Sequence, residues 1–225
     1  MRTHSIVIII IVLAIAVILA IILYRTFVRQ VPCGPDLFMD LNLNGNFEDG
    51  NFVPGTDGSM NLPNGSTDLK PWTVRVNAAS QNPLRWSDNR TGILKTDFGF
   101  RFLNLAGCCN PPREPFPAVA QQSIQLQPGR YQLSFALGQD PASGFPGPVY
   151  VDVNISGVVT RSWTRHTEAN GKNWQKFADM EFEVNQNGSI VVSFGATSGQ
   201  GAHFVRYIGL DDVELRQFRP VFRCP

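Results

Sequence analysis

The chain is short of the residues from which most catalytic sites are built. It has 3 histidines in 225 residues, His4, His166 and His203, and none stands in an H-E-x-x-H spacing. No G-x-S-x-G elbow and no phosphate-cradling P-loop occurs. Asp97-Phe98-Gly99 has no companion kinase motif, and no spacing selects a pair of acids for glycoside hydrolysis. The sequence therefore reads as that of a non-catalytic protein. A charge surplus is missing too: 19 Lys+Arg face 18 Asp+Glu, a net charge of +1, which gives no electrostatic footprint for nucleic acid. Cysteine is scarce. Cys33, Cys108, Cys109 and Cys224 show no C-x-x-C or His spacing, which argues against zinc. Their even number favours an oxidising compartment, with Cys33 and Cys224 at the two ends of the domain as one candidate bridge. A bridge within the adjacent Cys108-Cys109 pair would be strained.

What the chain does have is one long apolar run. Ile6 to Tyr24 contains no charge, Gly or Pro. At about 1.5 Å per residue it reaches roughly 28 Å, close to the thickness of a bilayer's hydrocarbon core. The run is longer than a secretory h-region, and the following Tyr24-Arg25-Thr26-Phe27 offers no small-residue cleavage site. Residues 1–24 are therefore expected to be an uncleaved single-pass transmembrane helix with a short flank, contacting the bilayer through residues 6–24. Arg2 and the terminal amine balance Arg25 and Arg29, so flanking charge does not orient it. Sequons at Asn64, Asn89, Asn154 and Asn187 are compatible with an extracytoplasmic or lumenal domain, as is the cysteine count.

Residues 25–40 read as a stalk, where Pro32 and Pro35 stop any helix leaving the membrane. Beyond them the chain becomes Gly-, Pro- and Asn-punctuated, and short segments alternate in polarity. Tyr131, Leu133, Phe135 and Leu137 alternate with Gln132, Ser134 and Ala136. Val149, Val151, Val153 and Ile155 alternate with Tyr150, Asp152 and Asn154. Strands are predicted near 41–47, 72–77, 100–105, 118–126, 131–138, 148–155, 158–164, 174–184, 189–196 and 204–215. Two packed antiparallel sheets satisfy such faces, so the fold class is an all-β sandwich or jelly roll over 41–216, with a tail at 217–225. The stretch 48–70 reads as a surface loop.

Four motifs stand in order: Asn44-Gly45-Asn46-Phe47-Glu48, placed on the first strand; Lys70-Pro71-Trp72; Pro128-Gly129-Arg130-Tyr131-Gln132-Leu133-Ser134-Phe135; and Asp211-Asp212-Val213 on the last strand. Together they resemble galactose-binding-like β-sandwich modules, in particular the DUF642 and related carbohydrate-binding-type domains. The resemblance implies a structural Ca²⁺ held by Glu48 with Asp211 or Asp212, hard oxygen donors suited to that ion. Strand alternation is expected to put the two acids on opposite faces. Asp40-x-Asn42-x-Asn44-Gly45 imitates the start of an EF-hand loop, but Asn51 stands where the bidentate Glu belongs.

Sugar-binding surfaces stack rings on exposed aromatics beside hydrogen-bonding side chains. The candidates are Trp86 with Arg85 and Asn89 in a loop-like run, Tyr150, and Trp163. Phe47 and Trp72 read as core. Two functions follow: a membrane-anchored module that binds glycan, or a structural protein of a virion or cell envelope that packs against a neighbouring envelope or capsid protein.

Overall fold

The computed structural model describes residue 19 and residues 38–41, 43–76, 83–91, 94–107, 118–139, 148–168, 173–197 and 207–218. The chain divides into two compact units, Met1–Leu37 with Arg219–Pro225, and Phe38–Phe218. Of the first, only Leu19 is described. Among the described residues no helix is long and apolar enough to cross a membrane. The run 6–24, apart from Leu19, lies outside them, as do all four cysteines, His4 and His203.

The second unit is a two-sheet antiparallel sandwich. Its strands are β1 (Phe38–Leu41), β2 (Ser59–Leu62), β3 (Thr73–Val76), β4 (Leu84–Asp88), β5 (Arg101–Asn104), β6 (Ala118–Leu126), β7 (Gly129–Gln139), β8 (Tyr150–Gly157), β9 (Arg161–His166), β10 (Trp174–Val184), β11 (Gly188–Thr197) and β12 (Ile208–Phe218). Sheet A runs β10-β7-β12-β5-β4-β2, with β1 also paired to β12. Sheet B runs β3-β6-β11-β8-β9. Alternation makes the core: Leu133, Phe135 and Leu137 of sheet A meet Val151, Val153, Ile190, Val192 and Phe194 of sheet B, all buried. The Phe135 and Phe194 rings meet edge to face across the sandwich at 5.2 Å. Phe47 and Trp72 are core residues as expected, 5.7 Å apart.

The ends of the sequence reading shift. The first strand is not 41–47 but Phe38–Leu41, which starts inside the stretch read as stalk, and β12 runs on to Phe218. Asn44 and Phe47 take left-handed backbone angles (φ 48° and 54°), which no strand accommodates. The Asn44–Glu48 motif is therefore a turn. It fills the gap along β12 between β5, which pairs at Gly209–Leu210, and β1, which pairs from Leu215 onward. Val213 N–H donates to Gly45 O (3.0 Å) across this gap. Asn44 ties the turn down: its amide donates to Asp49 O (2.8 Å) and Lys70 O (2.9 Å), and its backbone carbonyl accepts the Trp72 indole N–H (3.2 Å). A Cβ at Gly45 would fall 1.8 Å from Val213 O, a backbone atom with nowhere to go. Gly45→Ala should therefore lower stability by about 2–3 kcal/mol in denaturant unfolding, and a change below about 0.5 kcal/mol would contradict this placement of the turn.

Two strands, β2 and β4, arise where loops were expected. β4 contains Trp86, and β2 lies inside 48–70.

Candidate functional site

The two sandwich faces differ in chemistry. On the outer face of sheet A, Lys176 Nζ donates to Asp212 (2.6 Å) and Glu214 (3.4 Å). On the same face Arg130 donates to Glu181 (3.0 Å) and lies 4.9 Å over the Phe218 ring. These charges satisfy one another, as on an ordinary solvated face. The rest of that face is roofed by residues 94–100. Trp174 lies there over Gly138 and Gly209, donates its indole N–H to Lys95 O (2.6 Å), and takes Phe98 and Phe102 edge-on.

The outer face of sheet B is built of hydroxyls and amides. Because Val151, Val153 and Ile155 point inward, Tyr150, Asp152, Asn154 and Ser156 point outward. Register sets the outward residues in rows across the five strands. Arg75, Val119, Gly195, Asp152 and Thr164 form one row. Thr73, Gln121, Ser193, Asn154 and Ser162 form the next. Thr197, Tyr150 and His166 form a third, at the end where β8 begins. Thr164 Oγ1 donates to Asp152 Oδ1 (2.6 Å), and Ser162 Oγ to Asn154 Oδ1 (2.8 Å). The Tyr150 and His166 rings are 5.2 Å apart and tilted by 41°. The face therefore offers stacking at one end and a grid of hydrogen-bonding groups beside it.

Of the aromatic candidates, only Tyr150 sits on this face. Trp86 is fully buried (0% exposed) and donates its indole N–H to Phe47 O (3.0 Å), with Phe52 edge-on at 4.8 Å. It offers no ring to a ligand, because Leu84–Asp88 is a strand whose Leu84 and Trp86 enter the core. Its neighbours are committed as well. The Arg85 guanidinium pairs with Asp57, and the Asn89 amide accepts from Thr96 N–H (2.8 Å) and donates to Gly99 O (3.2 Å). Trp163 pairs with inward-facing Val153, and its half-buried ring packs on the core rather than on the outer face. The hydroxyl rows were missed in the sequence. Their signal was present: outward positions of β8, β9 and β11 are rich in Ser, Thr and Asn, where those of β10 include Glu181 and Glu183.

The acids expected to hold Ca²⁺ are partly brought together. The turn that fills the β12 gap carries Glu48 to the start of β5, where its Oε1 accepts Phe100 N–H (2.6 Å) and Arg101 N–H (2.8 Å). Asp211 is fully buried beneath the 94–100 segment. The Thr96 hydroxyl donates to its Oδ2, and Asp212 N–H to its Oδ1 (2.7 Å). Its carboxyl is pushed up to about 7, chiefly by burial and further by the charges of Asp212 and Glu48, with the two hydrogen bonds pulling the other way. Asp212 does not join them. An irregularity in β12 between Asp211 and Glu214, with Asp212 at φ 50°, breaks the alternation. The Asp212 carboxylate goes to Lys176 on the outer side of sheet A, so the two acids do not take opposite faces as expected. Among the described residues no group of three or more His, Cys, Asp or Glu is placed to hold a metal. The chemistry of the remaining donors still fits a hard cation. Glu48 and Asp211 are like charges near each other, Asp211 has no cation among its described partners, and Thr96 adds a hydroxyl oxygen.

No family model matches the chain, and no curated protein matches it. Solved structures do. The module TmCBM61, solved in complex with beta-1,4-galactotriose, is 15% identical, covers 80% of this chain and 99% of its own, and has a TM-score of 0.50. The K1 cleaved adhesin domain of Lys-gingipain from Porphyromonas gingivalis W83 is 15% identical over 72% of this chain and 98% of its own, with a TM-score of 0.49. A CBM4 structure is 18% identical over 77% of this chain and 97% of its own, with a TM-score of 0.46. What the likeness to TmCBM61 defines is the fold, an all-β, two-sheet antiparallel sandwich. At such identities the likeness establishes the fold; function has to be argued from the site.

Proposed function

We propose that this protein is a non-catalytic, membrane-tethered module that binds glycan on the outer face of sheet B, with its domain on the extracytoplasmic side. The observation that carries this reading is the contrast between the two outer faces. Sheet A spends its charges on itself, whereas sheet B presents rows of hydroxyls and amides beside Tyr150 and His166. Such a surface exchanges water for sugar hydroxyls at little desolvation penalty, and the aromatic end gives a ring something to stack on.

Topology supports a tether at one end and a site towards the other. Phe38 and Phe218, the two chain ends of the sandwich, pair beside each other. In β7 the Gly129 end lies with Phe218, and the Gln139 end with Ile208. Sheet B follows the same polarity through the short β6–β7 connection, so the row Thr197, Tyr150, His166 lies at the end opposite the chain ends. A Ca²⁺ held by Glu48 and Asp211, with the Thr96 hydroxyl beside them, would cancel the repulsion between those acids and fasten the turn to β12.

The test is affinity electrophoresis of the full chain, kept in a detergent without a sugar headgroup, through gels containing soluble polysaccharides. At least one polysaccharide should retard it. Tyr150→Ala should weaken that retardation about tenfold, the equivalent of losing about 1.4 kcal/mol of stacking, while the melting temperature stays within about 2 °C. Retention of full affinity by Tyr150→Ala would remove this face as the site.

A further inference from the structure

Resting on the reading that the outer face of sheet B binds glycan, we infer that its ligand is a neutral polysaccharide, free of carboxylate and sulfate groups, and that Gly195 is the seat of one sugar ring. The first half follows from charge. Among the outward positions described on this face, the formal charges are Arg75 and Asp152. They stand in one row on β3 and β8, with β6 and β11 between them, roughly 14 Å apart at the usual strand spacing. That is too far to pair with each other.

A polyanion needs several fixed cations within reach, with arginine the preferred one. Among the described residues the face supplies one arginine, on its edge strand β3, and a carboxylate on β8, one strand in from the opposite edge. The other arginines of the edge strand β9 are turned elsewhere. Arg165 reaches Asp179 on β10 through Nη2 and Nε of its guanidinium (2.7 and 3.3 Å), and Arg161 sits in register with inward-facing Ile155 and donates to Thr160 O (2.8 Å). A carboxylate amid hydroxyls repels anionic sugars but accepts two hydroxyls of a neutral one. Asp152 already accepts one, from Thr164.

The second half follows from shape. Gly195 lies in the same row between Val119 and Asp152, with Ser193 next to it along β11 and Tyr150 on the neighbouring strand one row away. Its missing side chain leaves a low point ringed by groups of the right chemistry. Val119 offers an apolar patch for the flat of a ring, Ser193 and Asp152 offer hydroxyl partners, and Tyr150 offers a wall. The fold does not need glycine here. A Cβ at residue 195 would meet only Val119 Cγ2, at 3.4 Å, which is ordinary contact. Filling this position therefore tests the seat without breaking the sheet.

The experiment uses the full chain as above, in gels of a neutral galactan, xylan or mixed-linkage glucan and in gels of polygalacturonate or a sulfated galactan. Each is run in low salt and in about 0.5 M NaCl, where exposed charges are screened within a few ångström. Retardation is expected in a neutral matrix, changed less than about twofold by salt. Gly195→Val should weaken it tenfold or more at an unchanged melting temperature. Retardation by anionic matrices only, lost in high salt or in Arg75→Ala, overturns the inference while leaving the glycan site standing. Full affinity in Gly195→Val overturns the seat. No retardation in any matrix removes the glycan reading itself and the inference with it.

Discussion

Replacing Trp86 by alanine is expected to destabilise the sandwich by about 3–5 kcal/mol, the usual range for emptying a large aromatic site in a closed core. For a domain of this size that is a fall of roughly 10 °C or more in melting temperature. The ring is fully buried, holds Phe52 edge-on, and anchors the Phe47 carbonyl through its indole N–H. Its loss therefore opens a cavity and strips a buried carbonyl of its donor at once. Tyr150→Ala gives the opposite pattern: binding falls and stability holds. The pair separates a structural tryptophan from a ligand-facing tyrosine. A Trp86→Ala protein that melts within about 2 °C of the original would show that β4 does not pack as described.

The second large effect concerns Asp211. In calcium-free protein its carboxyl is pushed up to about 7, chiefly by burial, from an ordinary value of 3.8. The folded state therefore holds this proton more tightly than the unfolded chain does. The sign follows from linkage: stability falls as pH rises from about 4 to about 7, and the full cost persists above that. At about 1.4 kcal/mol per pH unit the ceiling is about 4 kcal/mol. Asp211→Asn keeps the shape and removes the charge. Calcium-free Asp211→Asn should be more stable than the original chain at pH 8 by about 2–4 kcal/mol, with the difference vanishing near pH 4. Calcium should close most of that gap. At 100 times its dissociation constant the ion adds about 2.7 kcal/mol to the original chain and nothing to the variant. Thermal melts at pH 5 and 8, with chelator and with Ca²⁺, read all of this. No rise in midpoint on adding Ca²⁺ to the original chain would eliminate the Glu48–Asp211 site.

Much of the architecture was legible because most of the strands alternate cleanly. Tyr131-Leu133-Phe135-Leu137 and Val149-Val151-Val153-Ile155 could bury one face only as strands, and they do. β4 was not legible for a physical reason. Leu84-Arg85-Trp86-Ser87-Asp88 alternates, yet Ser87 and Asp88 are buried as well, so its polar residues do not mark a wet surface. The first strand was misplaced because Phe47 is apolar and buried but reaches the core from a left-handed turn. Tyr150 was found by alternation alone. The hydroxyl rows needed register: Ser162, Asn154, Ser193 and Gln121 lie far apart in sequence and become neighbours only once β6, β8, β9 and β11 are paired. Asp211 and Asp212 do not take opposite faces, because the irregularity in β12 between Asp211 and Glu214 takes in Asp212 and breaks the alternation there.

Hydrogen exchange of the full chain, with and without a saturating neutral oligosaccharide, tests the central claim most directly. The account predicts slowed exchange in β8, β9 and β11, strongest around Tyr150–Asn154, Ser162–His166 and Ser193–Thr197, with β7, β10 and β12 unchanged. Protection confined to sheet A, or spread evenly over both sheets, would contradict it.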